Sequence, residues 1–542
     1  MEIRINSVRQ DRIYLILSGC ADHGGMPGLF VLFDEKGKGA AYVRHRNTGE
    51  NTFDLCINIE DAGSGAALPP GKYRLACVYP EKVFAAGGSG FAPYGLALEY
   101  GRKGYCLTAD VAADADHVVC LEVRDTGAGR KNPAKTAAKE AAFLSWYRLA
   151  RMKHDSSRGK TNVLFFTEQS DTLTENLRIL KEELEKKDTD GRFRIMTSAR
   201  MAVTDRHLGM QSWLGMLTKL AEADYIFMDD HAPVLDRIRL DAGTVITQVW
   251  HGGLGFKATG YARCGRPGGA PPVSCHRQYT WGIAPGRALV PVFAEMWGIP
   301  ECRVLPFGMP RLREIPDAAG RAKRKADLLA RYPGLAGRKI LLFAPTYRGG
   351  NIKSAGYPYE KIDFDRLSAF AGEEYAVVFK MHPWVTEKVP VGGRSNLFDL
   401  SAENNMDLFS AADLMITDYS SNIYEFSLFG KPMLFYAFDA EAYEESRGFH
   451  LDYSTSAPGK VTKTFEELLD ALKTGDFEEE KADAYRRKAF DPDCGDSAGR
   501  ILDGVLFGKM PEEITENVRR HDRRMRLIYG LCAEDVRMPR KE

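Results

Sequence analysis

The spacing of hydrophobic residues changes twice along the chain, near residues 126 and 161. Before residue 126, short runs such as 12–17 and 73–80 alternate apolar and polar residues between glycine- and proline-rich turns. Such alternation over four to eight residues is typical of antiparallel strands. We therefore predict an all-β domain over 1–125 and expect a sandwich. Catalytic residue types do not cluster there, which favours an accessory or interaction role.

A basic amphipathic pattern marks the segment 126–160, which we predict to be a linker. Residues 134–154 predict one helix that mixes lysines and arginines with phenylalanine, tryptophan and tyrosine. Two interpretations are open. The helix lies on an anionic membrane surface, or it packs its aromatic side chains against a neighbouring domain.

From residue 161 onward, buried apolar runs alternate with amphipathic helical stretches. Strands such as 162–166 and 244–250 fall in a first half, 161–315, and the pattern restarts in a second half, 316–508. This alternation is typical of a parallel sheet flanked by helices. The fold class is therefore α/β, with two Rossmann-type domains and a ligand cleft beyond the carboxyl ends of their strands.

Composition and charge restrict the class of protein and its partners. Lys+Arg and Asp+Glu both number 74 in 542 residues, so no global field favours nucleic acid as a partner. The ten cysteines contain no CxxC pair, which is typical of reduced thiols. We recognise neither a signal-peptide pattern nor an apolar run long enough to span a bilayer. We therefore expect a cytoplasmic protein.

Polar residues gather where the predicted strands of both halves end. In a parallel sheet these ends share one edge, so we expect the residues to line a single cleft. They are His251, Gly252, Gly253 and Lys257 in the first half, and Arg348, Lys380, His382, Thr417, Asp418, Ser420, Ser421 and Glu425 in the second.

The chemistry of these residues suggests phosphate binding and proton transfer. Ser420 and Ser421 open a helix, where free N–H groups favour a phosphate, although serine is also a common N-cap. The guanidinium of Arg348 suits a diphosphate. His251 and His382 come from opposite halves, so one could accept a proton while the other stabilises charge on a phosphate.

Glycines and acidic residues give further information about which ligands the cleft could bind. Gly252 and Gly253 would let the backbone approach a ligand closely. The sequence lacks a Walker A loop and a GxGxxG motif, and the glycine-rich segment 265–272 predicts a mobile loop. Asp229 and Asp230 could bind Mg²⁺, but a role in ending their strand is favoured. We predict no obligatory metal or cofactor.

Five segments together resemble a known family. They are QVWHGGLGFKATGY, FAPTYRGG, FKMHPWV, ADLMITDYSSNIYEFSLFGKPMLFYAFD and ESRGFHLDY. They are similar to successive motifs of the CDP-glycerol glycerophosphotransferase family, which contains the teichoic-acid-type polymerases and primases. The resemblance covers about residues 161–508. It implies a GT-B fold and transfer of glycerol phosphate from CDP-glycerol to a hydroxyl, with release of CMP.

The resemblance also implies roles for individual residues. His251 and His382 match the two motif histidines of the family, and His251 would act as the base. Lys257 and Arg500 are further candidates. Gly253 departs from the family, which usually has Thr or Ser after the WHG motif, and so removes a hydroxyl donor. The nucleotide and diphosphate contacts fall on Arg348, Thr417, Asp418, Ser420, Ser421 and Glu425.

Two alternative functions are open at this point. CDP-ribitol, or another activated polyol or sugar phosphate, would fit the same diphosphate site. Alternatively, the chain is a non-catalytic binding or scaffold protein with a degenerate cleft, which the Gly253 departure slightly favours.

The resemblance also bears on location, because the family acts on lipid-linked or polymeric acceptors. It implies a peripheral enzyme at the inner face of the cell membrane. The C-terminal segment 509–542 carries an arginine-rich run, 519–526, followed by apolar residues. Such a run suits anionic lipid, but a solvated final helix is the other interpretation. The helix predicted at 134–154 is the competing lipid contact.

Overall fold

The structure, a computed structural model, contains three sheets within the residues that it describes. One belongs to the N-terminal domain, and each of the other two forms the centre of an α/β unit. The segment 265–272, predicted to be a mobile loop, lies outside the described residues. Those residues are 2–22, 28–58, 68–79, 82–88, 92–100, 105–125, 133–156, 159–201, 209–253, 256–263, 274–350, 352–491, 494–530 and 536–537.

The N-terminal domain is all-β, as predicted, but its sheet closes into a barrel instead of forming a sandwich. Seven strands close the ring in the order β7-β1-β2-β5-β4-β3-β6, because β7 pairs with both β1 and β6. Alternation places side chains inside or outside in either architecture, so it does not reveal this closure. The strands are β1 Ile3–Asp11, β2 Tyr14–Ala21, β3 Leu29–Phe33, β4 Gly39–Asn47, β5 Thr52–Ile57, β6 Gly71–Tyr79, β7 Lys82–Gly87, β8 Tyr94–Tyr100, β9 Tyr105–Ala113 and β10 Val119–Asp125.

The first α/β unit has a six-stranded parallel sheet in the order β12-β11-β13-β14-β15-β16. Strand β11 is buried along nearly its whole length because helices cover both faces of the sheet. The elements are α1 Pro133–Ser156, β11 Thr161–Thr167, α2 Glu175–Lys187, β12 Phe193–Ala199, α3 Met210–Glu222, β13 Tyr225–Met228, β14 Val245–Gln248, β15 Trp281–Ile283, α4 Val290–Trp297 and β16 Val304–Leu305.

The second unit repeats the architecture in the order β19-β18-β17-β20-β21-β22. Local signals agree with the fold; for example, Thr464 and Glu467 form a capping box at the start of α11. The elements are α5 Ala318–Arg331, β17 Lys339–Phe343, α6 Phe364–Ala371, β18 Tyr375–Phe379, β19 Leu397–Asp399, α7 Asn405–Ala411, β20 Leu414–Thr417, α8 Asn422–Ser427, β21 Met433–Tyr436, α9 Ala440–Arg447, α10 Tyr453–Ser456, β22 Lys460–Thr462, α11 Phe465–Thr474 and α12 Glu479–Ala489.

The C-terminal elements return to the earlier domains. Helix α13, Ser497–Val505, buries Ile501 and Leu502 in the core of the first unit, although the sequence assigned it to the second. Helix α14, Glu512–Gly530, packs Met525 and Ile528 on the barrel, and β23, Val536–Arg537, pairs with β7. The final helix is therefore amphipathic and packed on one face. Among the described residues, no helix has the length and hydropathy of a membrane span.

Helix α1 packs against α3 of the first unit. The rings of Phe143 and Trp213 stack with centroids 5.1 Å apart, and the hydroxyl of Tyr147 accepts a hydrogen bond from the backbone N–H of Asp241 at 2.8 Å. The predicted linker helix therefore does bury aromatic side chains on a neighbour. Its opposite face leaves Leu149 and Met152 exposed.

Candidate active site

The turn after β14 presents His251 at the carboxyl edge of the first sheet. Trp250, two residues after the end of β14, has a positive φ of 55°, so the backbone leaves the extended conformation there. The buried side chain of Gln248 holds this turn: its carbonyl accepts the N–H of Trp250 at 2.9 Å, and its amide donates to the backbone carbonyl of Asp230 at 3.1 Å. The turn geometry is thus fixed by a polar residue that the sheet buries.

His251 is oriented as a proton acceptor. Its Nδ1 lies 3.0 Å from the backbone carbonyl of Asp229 and 3.2 Å from the carboxylate of Asp230. Both neighbours are acceptors, so Nδ1 carries the proton and Nε2 keeps its lone pair. The side chain is 48% exposed. The backbone of Asp229 and the carboxylate of Asp230 therefore both contact Nδ1 of His251.

Asp229 and Asp230, which were considered as possible Mg²⁺ ligands, contact different groups. The buried carboxyl of Asp229 accepts a hydrogen bond from the hydroxyl of Thr174, and burial raises the pKa of that carboxyl. Asp230 faces His251. This contact between Asp230 and His251 was not predicted from the sequence. The available signal was that β13 and β14 are neighbouring parallel strands, which brings their ends together.

His382 has the opposite hydrogen-bonding polarity. Its Nδ1 accepts the backbone N–H of Trp384 at 3.1 Å, so a neutral ring carries its proton on Nε2. Burial, with further contributions from Lys257 and Lys380, lowers the pKa of His382 to about 4. The ring is therefore neutral near pH 7 and donates from Nε2. The ring of Tyr347, 4.7 Å away between centroids, packs beside it.

Lys257 is brought into the second unit by a short cross-unit strand pairing. The N–H of Ala258 donates to the carbonyl of Gly448 at 2.9 Å, and the N–H of His450 donates to the carbonyl of Phe256 at 2.9 Å. Burial lowers the pKa of Lys257 to about 8, against the opposing effect of Asp418. The pairing thus inserts a cation from the first unit next to the polar strand ends of the second.

A second cation, Arg447, shares this environment. The Lys257 Nζ lies 5.8 Å from the ring centre of Tyr347, and the Arg447 guanidinium lies 6.0 Å from the same centre. Arg447 also contributes to lowering the pKa of Lys257, as expected for two cations that lie close together. Arg447 lies at the end of α9 and was not among the site residues predicted from the sequence.

Arg348 is committed to other groups of its own unit. Its guanidinium forms a two-point contact with Asp439 at 2.6 and 2.8 Å, and donates to Asp418 at 2.9 Å and to the carbonyl of Thr346 at 2.6 Å. These bonds use four of its five N–H groups. The contacts therefore assign Arg348 and Asp418 to holding the strand ends together, which leaves little capacity for the diphosphate contact implied by the resemblance.

Thr417, Ser420 and Ser421 lie around the end of β20. The buried hydroxyl of Thr417 donates to the carbonyl of Ala344 at 2.7 Å and so joins two strands. Ser420 accepts the N–H of Asn422 at 3.3 Å, whereas Ser421 is exposed and its side chain makes no capping bond to α8. Of the three, Ser421 retains the most freedom to contact a ligand.

Glu425 links the two units instead of facing open solvent. It forms a buried ion pair with Arg311, and burial raises the pKa of Glu425. The backbone N–H of Arg311 donates to Asn176 at 2.8 Å, and the amide of Asn176 donates to the carbonyl of Trp250 at 2.8 Å. This chain of contacts connects α8 with the turn that carries His251.

The three remaining candidates have local roles in the structure. The Lys380 Nζ donates to the carbonyl of Ser401 at 2.6 Å, and burial lowers the pKa of Lys380. Arg500 donates to the carbonyl of Phe307 at 2.9 Å. Gly252 has open space around the position of a Cβ, whose nearest neighbour would be 3.8 Å away. None of these contacts involves a neighbouring candidate residue.

Gly253 fits a position that excludes any side chain. A Cβ built there would lie 1.9 Å from Cγ and 2.6 Å from Cβ of Tyr424, which is buried against Phe490. The departure from Thr or Ser therefore has a physical reason: the Tyr424 ring occupies the space of the missing side chain. The next two residues, 254 and 255, lie outside the described part of the chain.

Comparisons with known proteins agree with these motifs. The family model for CDP-glycerol:poly(glycerophosphate) glycerophosphotransferase matches residues 148–507. The teichoic acid ribitol-phosphate polymerase TarK of Staphylococcus aureus is 32% identical over 452 residues, or 80% of this chain and 85% of TarK. TarL of the same organism is 36% identical over 65% of this chain, and a poly(ribitol-phosphate) polymerase of Bacillus spizizenii is 32% identical over 66%. The matches span only 63% and 58% of these last two proteins.

The fold is similar to that of the wall teichoic acid polymerase TagF. The TM-score is 0.52 at 19% identity, and the match covers 72% of this chain and all of the TagF chain. The expected GT-B-like arrangement of the two α/β units is thus confirmed, as is the resemblance read from the motifs. The chain belongs to the CDP-glycerol:poly(glycerophosphate) glycerophosphotransferase family and is an enzyme of that family.

Proposed function

We propose that the protein transfers a polyol phosphate from a CDP-activated polyol to an acceptor hydroxyl and releases CMP. The observation that supports this proposal is that one histidine can accept a proton while the other can donate a hydrogen bond. His251 of the first unit offers a lone pair at Nε2, and neutral His382 of the second offers an N–H. A transfer reaction needs a base for the acceptor and a donor for the developing phosphate charge.

The reaction is an in-line displacement at the β-phosphorus. The acceptor oxygen loses its proton to Nε2 of His251 and bonds to phosphorus, while the bond to the CMP oxygen breaks. The carboxylate of Asp230 stabilises the imidazolium that forms. Lys257 and Arg447 balance the negative charge of the diphosphate and of the leaving CMP, and neutral His382 donates its Nε2–H to a phosphate oxygen. Ser421 is an additional phosphate contact in this proposal.

The relatives favour CDP-ribitol as the first donor to test. Four relatives named for ribitol phosphate align with 63% to 80% of this chain, and four relatives named for glycerol phosphate align with 31% to 41%. CDP-glycerol is the second donor, because the matching family model is described by glycerophosphate. The acceptor is a polyol-phosphate chain, either lipid-linked or polymeric.

The test is CMP release by the purified chain, with CDP-ribitol and CDP-glycerol in parallel and a polyol-phosphate acceptor present. We expect acceptor-dependent CMP from CDP-ribitol. CMP from CDP-glycerol alone would instead select the second donor. If calorimetry shows that a cytidine nucleotide binds but neither donor yields CMP, the donor carries a different activated group on the same site. If no cytidine nucleotide binds and no CMP forms, the proposed reaction is excluded and the non-catalytic alternative is favoured.

We further propose that α1 contacts an anionic membrane that carries the acceptor. Leu149 and Met152 are 63% and 70% exposed and lie one turn apart. Arg148 and Lys153 are exposed beside them. Met210 of the neighbouring α3 is 77% exposed. Apolar side chains next to cations suit the headgroup region of anionic lipid.

Paired variants distinguish lipid binding by α1 from lipid binding by α14. Replacing Leu149 and Met152 with Glu should abolish co-sedimentation with phosphatidylglycerol vesicles, because it removes apolar contact and adds negative charge. The matched control is Leu527→Glu, which alters an exposed leucine of α14. Loss of binding in the control alone would assign the lipid contact to α14.

Lys257 predicts an alkaline limit to donor use. Its pKa of about 8 means that it is charged below that pH and loses its charge as the pH rises. The kcat/KM for the donor should therefore fall through about pH 8, since kcat/KM reports the free enzyme. In Lys257→Arg the cation persists, so the fall should move to higher pH. An unchanged profile in that variant would remove Lys257 from donor binding.

A further inference from the structure

Three metal-ligating residue types converge outside the transfer site. His231 follows the end of β13, Asp236 lies in the same loop, and Cys275 begins the turn that precedes β15. One ligand atom from each lies within 4.8 Å of the other two. We propose that His231, Asp236 and Cys275 form a binding site for a zinc-type divalent ion.

The geometry is close to that of a tetrahedral site. Zinc–ligand bonds of about 2.0 to 2.3 Å imply separations of about 3.3 to 3.8 Å between ligand atoms. The Nε2 of His231 already lies 3.0 and 3.1 Å from the two carboxylate oxygens of Asp236. Closing the remaining gap requires shifts of about 1 Å or less. A nitrogen, an oxygen and a sulfur ligand together suit zinc better than Mg²⁺ or Ca²⁺.

Hydrogen bonds to the backbones of Cys275 and His231 hold the proposed ligands in place. The N–H of Cys275 donates to Asp236 at 2.9 Å, and the side chain of Gln169 donates to the carbonyl of His231 at 3.4 Å. Asp236 is thus tied to both other members of the cluster. An ion would replace the His231–Asp236 hydrogen bond and the thiol proton with three coordinate bonds, and a water molecule would take the fourth position.

The burial of Cys275 favours a metal ligand over a catalytic thiol. The Cys275 side chain is fully buried, so its sulfur could not attack a substrate of any size. His231 is 35% exposed, which gives a small ion a route into the cluster. On its inner side the sulfur faces the hydroxyl of Tyr279 at 3.4 Å and Nδ1 of His276 at 4.0 Å. These polar neighbours favour a thiolate more than an apolar core would.

A bound ion would reinforce the turn that carries His251. His231 directly follows Asp230, whose carboxylate lies 3.2 Å from Nδ1 of His251. On the other side of the cluster, Tyr279 accepts a hydrogen bond from Gln248 at 2.9 Å, and Gln248 holds the same turn. The proposed role is therefore structural, and it stands apart from the diphosphate contacts.

The experiment uses the full chain without an affinity tag that binds metal. The protein is treated with a chelator, freed of it, incubated with Zn²⁺ or Co²⁺, and analysed for bound metal. We expect one ion per chain and a thiolate-to-cobalt charge-transfer band. Cys275→Ser should abolish that band and weaken Zn²⁺ binding at least tenfold. Cys302→Ser, which changes another free cysteine, should leave both unchanged.

Two outcomes would overturn the site. One is the absence of stoichiometric metal in the wild-type chain, and the other is an undiminished cobalt band in Cys275→Ser. Thermal unfolding of the metal-free variants checks folding; if Cys275→Ser does not fold, Asp236→Asn and His231→Gln provide the same comparison. Because the readout is metal binding, the result does not depend on whether the proposed transfer reaction is correct.

Discussion

His251→Ala is expected to lower kcat about 10³-fold while donor affinity stays near the wild-type value, because a general base contributes about 10² to 10⁴ to the rate. The side chain is 48% exposed, and its contacts are those of Nδ1 and of the ring with neighbouring Trp250, so its loss should leave folding intact. Single-turnover rates and calorimetric titration of the donor separate the two effects. Wild-type rates in a pure, folded variant would exclude His251 as the base.

Asp230→Asn tests the same base with a smaller expected loss of activity than His251→Ala. The amide keeps the size of the carboxylate but removes its charge, while the carbonyl of Asp229 still orients Nδ1. We expect a smaller loss of kcat, about tenfold, because the imidazolium that forms during transfer loses its counter-charge. A loss in Asp230→Asn as large as that in His251→Ala would mean that orientation, and not charge, is the main contribution of Asp230.

The architecture could be predicted from the sequence wherever the spacing of hydrophobic residues determines whether a segment is a helix or a strand. Buried runs such as 162–166 and 244–250 correspond to β11 and β14, and His251 lies at the carboxyl edge that these strands share, where the sequence pattern predicted it. The barrel was not predictable because closure depends on which strands pair. Strand β7 pairs with both β1 and β6, and alternation within a strand contains no information about its partners.

The partners of individual polar residues were the least predictable part. Arg348 suits a diphosphate by chemistry alone, but Asp439, which is 91 positions away in sequence, takes up its guanidinium. Glu425 likewise meets Arg311 only because the two units fold against each other. Such long-range pairs depend on tertiary structure, so a motif identifies the residue type and its location without identifying its partner.

Gly253→Ala is expected to destabilise the chain by about 3 kcal/mol, the upper end of the range for overpacked cores. The new Cβ would lie 1.9 Å from Cγ of Tyr424 and 2.6 Å from its Cβ. The Cβ of Tyr424 is fixed to the backbone of α8, so rotation of the ring cannot relieve the clash. Denaturant unfolding measures the loss, and transfer activity should fall with it because Gly253 adjoins the turn of His251.

Gly252→Ala is the matched control for this prediction. Its Cβ would meet no atom closer than 3.8 Å, so we expect a free energy of unfolding within about 1 kcal/mol of wild type. Both variants restrict the unfolded chain equally, so the difference between them isolates the contact with Tyr424. Combining Gly253→Ala with Tyr424→Ala should cost less than the sum of the two single changes, since the ring is then absent. Equal stability of the two glycine variants would contradict the close approach of α8 to the WHG turn, and with it the explanation of why this chain lacks the hydroxyl residue found in the family.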